Sequence, residues 1–120
     1  MPESFTSMMP LLRCIIGLSI VSSACGGAGV EVRNQSAVRL EDVVISANGV
    51  SARMSGIDSQ TVGTTSLCPE GEAGEVDLSF RAAGRVHTSK HAVYFECDSL
   101  YVLRFEVSPA FETRATSALR

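Results

Sequence analysis

The sequence predicts an all-β protein: a small antiparallel β-sandwich of about seven short strands joined by Greek-key connections. Three observations lead there. The C-terminal half alternates apolar and polar residues with a strict period of two, which gives a strand one buried face and one wet face. Asn48-Gly49 stands between two apolar runs, the strongest short-range hairpin signal. Turn residues recur at intervals of roughly 8–12 residues, and no convincing helical periodicity intervenes.

Each element has its own justification. Val30-Glu31-Val32-Arg33 opens a first strand, and Asn34-Gln35-Ser36 turns the chain. From Val38 the apolar positions run Val38, Leu40, then Val43, Ile45, a change of parity that predicts a β-bulge at Glu41-Asp42. Beyond the Asn48-Gly49 turn, residues 50–57 form a strand with Val50, Ala52 and Met54 on one face. The Thr/Ser-rich stretch 60–67 suits an exposed edge strand, and Cys68 to Gly74 is a loop by composition. Three well-patterned strands follow, marked by Val76, Leu78 and Phe80; by Val93, Phe95 and Cys97; and by Tyr101, Leu103, Phe105 and Val107. Pro109 stops the last of these, and residues 110–120 read as a flexible tail.

The N-terminal region has a different character. An apolar run from Cys14 to Val21 ends in Ser22-Ser23-Ala24, followed by Cys25 and the glycine-rich stretch 26–29. The run falls short of the ~20 apolar residues of a membrane span and is diluted by serines. It reads as a cleaved export signal over residues 1–24. Its charged portion holds only Arg13, opposed by Glu3; initiation at Met8 or Met9 would give better proportions. Val21-Ser22-Ser23-Ala24-Cys25 resembles the lipobox of bacterial lipoproteins, and the resemblance implies a lipid on Cys25, with residues 25–29 as a tether. Ser22 stands where that family has a large aliphatic residue, and Ser22 with Ala24 equally suits ordinary signal peptidase. Two destinations therefore follow: the bacterial cell envelope by lipid anchor, or release into the periplasm or medium.

Residues 30–109 remain as the sandwich domain, and their strand spacing resembles an immunoglobulin-like fold in general shape. There is no Trp in the chain, and Phe95 stands two residues before Cys97 where immunoglobulin domains place a Tyr. Cys14 leaves with the signal and Cys25 is taken by the new terminus. Cys68 and Cys97 are then expected to pair in an oxidising compartment. Closing that loop is worth roughly 3–4 kcal/mol on the loop-entropy model.

Composition narrows the function classes. The formal net charge is −3 with no basic cluster, which argues against nucleic acid and anionic lipid as partners. Membrane attachment is expected only through Cys25. His87 and His91, with Glu96, are the candidate ligands for copper or zinc, placed across a strand–turn–strand; Arg85 and Lys90 in the same stretch oppose a cation. No Gly-x-Ser-x-Gly elbow occurs. Glu70, Glu72 and Glu75 read as a solvated turn, and Asn34-Gln35-Ser36 is formally a glycosylation acceptor. Tyr94 with Val102 is a candidate apolar patch on an outer face. The expectation is a non-enzymatic binding or accessory module without a cofactor, directed at another envelope or extracellular protein. The alternatives are a periplasmic metal-handling protein and an inhibitor of an external hydrolase acting through Pro69 to Gly74.

Overall fold

Eight strands build two facing sheets in a computed structural model of the protein, which describes residues 27–120. The export signal and Cys25 lie outside the described residues. The strands are β1 (Ala28–Asn34), β2 (Leu40–Ala47), β3 (Val50–Ile57), β4 (Val62–Leu67), β5 (Val76–Ala82), β6 (Arg85–His91), β7 (Tyr101–Val107) and β8 (Thr113–Leu119). One sheet has the order β4-β1-β7-β8 and the other β3-β2-β5-β6. All neighbouring strands are antiparallel except β1 and β7, which run parallel.

The alternating pattern sets the core. Val30 and Val32 of β1, Ile45 of β2, Leu78 and Phe80 of β5, and Leu103, Phe105 and Val107 of β7 are buried between the sheets. At Asp42 the backbone takes a positive φ of 48° and the β2–β5 register shifts between Glu41 and Val44. That is the bulge expected from the parity switch, and it lets Leu40 and Val43 both face inward. Asn48 and Gly49 both have positive φ, 49° and 79°, as a two-residue type I′ hairpin requires. β4 lies at a sheet edge, as its composition suggested.

Ala28 and Gly29, expected in a tether, instead open β1, with Ala28 fully buried; beyond these, two stretches differ from the sequence expectation. Residues 93–98 are not a strand, although Phe95 is fully buried. The edge of β5 is already taken by Arg85–His91, which returns through a tight turn at Ala83-Gly84 (φ 52° and 77°). Phe95 keeps only one bridge, exchanging backbone hydrogen bonds of 3.0 and 3.1 Å with Ala73. Ala in a left-handed turn position is a poor turn signal, which is why this hairpin is hidden in the sequence. The second difference is the tail: residues 113–119 form β8, paired along its length with β7. Pro109 ends β7 but occupies a turn in which the Ser108 hydroxyl accepts from the backbone N–H of Ala110 (3.2 Å) and Glu112 (3.1 Å). Thr113-Arg-Ala-Thr-Ser-Ala-Leu119 carries too little apolar bulk to reveal a strand by pattern.

Asn34 and Ser36, both fully buried, lock the first crossing between the sheets. Asn34 Nδ2 donates to the carbonyls of Val38 (2.8 Å) and Ile57 (3.0 Å). Its Oδ1 accepts from Ser36 N (3.0 Å) and Ser36 Oγ (2.7 Å). Both donors and both acceptor positions of the amide are thereby satisfied. A side chain so enclosed is not a glycosylation site in the folded protein, whatever its sequence context.

Two outcomes are expected. Asn34→Ala removes the side-chain partners of the Ile57 carbonyl and the Ser36 N–H and leaves the Val38 carbonyl with only the Ser36 hydroxyl (3.0 Å), so it should lower stability by about 3 kcal/mol in a denaturant titration. Ala83→Asn supplies the residue that a type I′ turn prefers and should raise stability by about 0.5–1 kcal/mol in the same assay.

Candidate functional site

His87 and His91 sit on a single strand, β6, not on opposite sides of a turn. Four residues along a strand span roughly 13 Å, too far to share one ion. Their surroundings differ as well. His87 pairs across the hairpin with Phe80 and stacks on its ring at 5.1 Å between centroids, with the Phe111 ring 4.9 Å away on another side. Its Nε2 is buried without a hydrogen-bond partner. His91 places Nε2 3.0 Å from both Ser89 Oγ and Thr113 Oγ1, and the Thr113 hydroxyl donates to Ser89 at 2.7 Å. Glu96 instead accepts a hydrogen bond from the Tyr94 hydroxyl. The three candidate ligands are thus not brought together, and no grouping of three or more metal-ligating side chains occurs among the described residues. The histidines close the seam between β6 and β8, one by aromatic stacking and one through hydroxyls.

The disulfide forms between Cys68 and Cys97. It joins the end of β4 to the connection between β6 and β7, with both half-cystines exposed at one end of the sandwich. The loop that follows Cys68 is pinned from within. Pro69 and Ala73 are buried, and Ala73 bridges Phe95. Asn48 Nδ2 donates to the carbonyls of Glu70 (3.1 Å) and Glu72 (2.7 Å). Between these anchors Glu70, Gly71 and Glu72 face solvent, so the carboxylates are presented rather than paired for acid–base work.

The same end of the molecule carries the chain's two tyrosines. Tyr94 and Tyr101 meet edge to face with centroids 6.1 Å apart. With Val93, Ser117, Ala118 and Leu119 they line an open groove of about 390 Å³. Tyr94 is 45 % exposed, Leu100 55 % and Leu119 67 %. Sequence reasoning paired Tyr94 with Val102, but Val102 is buried; Tyr94 instead finds Tyr101, which sits on the core-facing side of β7 and emerges at its open end. The missing signal was the path of residues 92–97, which run along the inner side of β8 and are held there by the Ser117 hydroxyl donating to the Tyr94 carbonyl at 2.7 Å.

The electrostatics of this groove are negative. Tyr94 is pushed well above the ordinary phenol value, first by its hydrogen bond to Glu96, then by partial desolvation and by the charge of Glu72. Tyr101 is raised first by desolvation and then by Glu96, Asp98 and Glu72. Three carboxylates, Glu72 from the β4–β5 connection and Glu96 and Asp98 from the β6–β7 connection, therefore act on one aromatic pair. Such an arrangement has no nucleophile–base pair; it has an apolar surface in a negative field.

No protein-family model and no curated protein matches the sequence. Among solved structures, the chain resembles the NMR structure of a protein from Eubacterium rectale at 10 % sequence identity and a TM-score of 0.49, over 82 % of this chain and 93 % of the other.

Two measurements test this geometry. His87→Phe keeps the stack with Phe80 and Phe111 and removes the unpartnered nitrogen, so stability should be unchanged or higher by about 1 kcal/mol. In an alkaline absorbance titration neither tyrosine should ionise at the ordinary value of ~10, and Glu96→Gln should bring Tyr94 back toward it. A folded pKa raised above the unfolded one places the associated stability below pH ~10, with loss as pH rises toward the folded value.

Proposed function

We propose that this chain is a non-enzymatic, exported binding module that engages another envelope or extracellular protein through the end of the sandwich bearing Tyr94 and Tyr101. The observation that carries the reading is the groove itself: exposed aromatic and aliphatic side chains, gathered on a rigid frame in a molecule whose core already has ample apolar residues to bury. Tyrosines with one apolar body and one polar tip are suited to such surfaces. A disulfide at the same end is compatible with an oxidising compartment. Whether the protein is held by a lipid on Cys25 or released is part of the proposal, and palmitate labelling of the wild type beside Cys25→Ser distinguishes the two.

A second reading, inhibition of an external hydrolase, draws on the Pro69 to Gly74 loop, because a presented Glu70-Gly71-Glu72 tip held by a disulfide, a bridge and Asn48 is pre-organised. Copper or zinc handling has no comparable support.

The test is capture from an envelope extract with the purified disulfide-bonded protein, followed by identification of the captured protein and re-binding in purified form. Tyr94→Ala should weaken re-binding at least about tenfold, as loss of a central aromatic anchor does. Unaltered binding by Tyr94→Ala, with loss on substitution of Glu70 and Glu72, would move the function to the loop. Absence of any specific partner would overturn the binding-module reading.

A further inference from the structure

The backbone of β8 extends the groove. Ser108 N donates to Glu112 O and Arg120 N to Leu100 O, which fixes the even-numbered residues of β8 as those hydrogen-bonded to β7. The N–H and C=O groups of Thr113, Ala115, Ser117 and Leu119 consequently point away from β7, off the edge of the sheet, and no strand among the described residues pairs with them. The other edges are guarded. β6 carries Arg85 and Lys90, and β3 carries Arg53. β4 lies against β3 so closely that a Cβ on Gly63 would meet Ile57 at 2.8 Å. β8 has neither Pro nor Lys, and its one charge, Arg114, is tied to Glu106 at 2.8 Å. The strand therefore ends one sheet with four residues' worth of unused backbone donors and acceptors, and its Leu119 end opens into the Tyr94–Tyr101 groove, opposite Tyr101 in register.

We infer that β8 accepts an extended segment of a partner protein as a fifth strand, and that this segment places a cationic side chain, arginine or lysine, against Tyr94 and Tyr101. Backbone pairing along an open edge supplies affinity without sequence demands, and a side-chain pocket at one end supplies selectivity. The pocket favours a cation for two reasons. Tyrosine faces attract cations at close range. The surrounding Glu72, Glu96 and Asp98 make the site negative, and their charges add to the Glu96 hydrogen bond on Tyr94 and to the desolvation of Tyr101 in raising both phenols. Arg120, which follows Leu119 in the chain, is engaged elsewhere: its Nε donates to Ser99 O at 2.8 Å and its guanidinium lies over Gly29 on β1. An acidic or neutral residue in the partner would meet repulsion or leave the pocket unfilled. The inference rests on the binding-module reading and names the chemistry of its partner.

The experiment uses two blocked octapeptides of alternating threonine and valine, one ending in two arginines and one in two glutamates, titrated into the isotopically labelled, disulfide-bonded protein and followed by NMR. The arginine peptide should shift the amides of Thr113, Ala115, Ser117 and Leu119 saturably, slow their hydrogen exchange, and bind about tenfold more tightly than its glutamate twin. Ala115→Pro removes an outward N–H without touching a bond to β7 and should abolish pairing by both peptides. Tyr94→Leu, a surface change that does not threaten folding, should leave pairing intact and erase the preference for arginine. Shifts confined to other strands, or equal binding of the two peptides, would overturn the inference. If Ala115→Pro still captures the envelope partner in full, the binding module stands and the edge-pairing inference alone fails.

Discussion

Everything in this sandwich hangs on a buried amide. Asn34 closes β1, and its side chain binds the carbonyls of Val38 and Ile57, which belong to the chain's first and second passages between the sheets. Around it Gln60 N donates to Asn34 O at 2.8 Å, Asn34 N to Thr61 O at 2.9 Å, and Gln35 N to Val107 O at 2.9 Å. Asn34 thus ties the approach to β2 to the end of β3 and to the connection between β3 and β4, and its neighbour Gln35 adds the end of β7. Burying an amide is costly unless every donor and acceptor finds a partner, and here the full complement is met. An apolar residue of similar size would strip the Ile57 carbonyl and the Ser36 N–H of their side-chain partner, so the position selects for a specific crossing geometry as well as for stability.

The opposite end of the molecule is secured by different means. There the Cys68–Cys97 disulfide, the Ala73–Phe95 bridge and the hydrogen bonds from Asn48 hold three irregular segments together. Irregular backbone has few internal hydrogen bonds, and a covalent tie lowers the entropy available to it when unfolded. The consequence is a rim with fixed geometry, and on that rim sit Tyr94, Tyr101 and the carboxylates of Glu72, Glu96 and Asp98. Packing at one end leaves the other end free to present a surface.

Much of this was legible residue by residue. Period-two alternation placed Leu78, Phe80, Leu103 and Phe105 in the core, and a parity switch located the bulge at Asp42. The place of the histidines is not legible, because the turn that sets it carries a weak signal. Ala83-Gly84 lacks the usual turn signature, so Arg85–His91 looked like a connection rather than a strand. Once that hairpin is recognised, His87 falls opposite Phe80 and its role in the seam with Phe111 becomes clear. The groove was only half visible: Tyr94 stood out as exposed, but its true neighbour could not be read from alternation, since residues 92–97 follow no strand.

By itself, the sequence determined the fold class, the faces of most strands, the bulge, the first hairpin and the pairing of Cys68 with Cys97. These depend on local periodicity, turn chemistry and the elimination of other cysteines, all of which act over short stretches of chain. Only the tertiary structure decided which strands became neighbours, that β1 runs parallel to β7, that the C-terminal residues form an edge, and that Tyr94 meets Tyr101. Those outcomes follow from long-range packing and from competition for hydrogen-bonding edges, where a segment's place depends on what has already filled the position beside it.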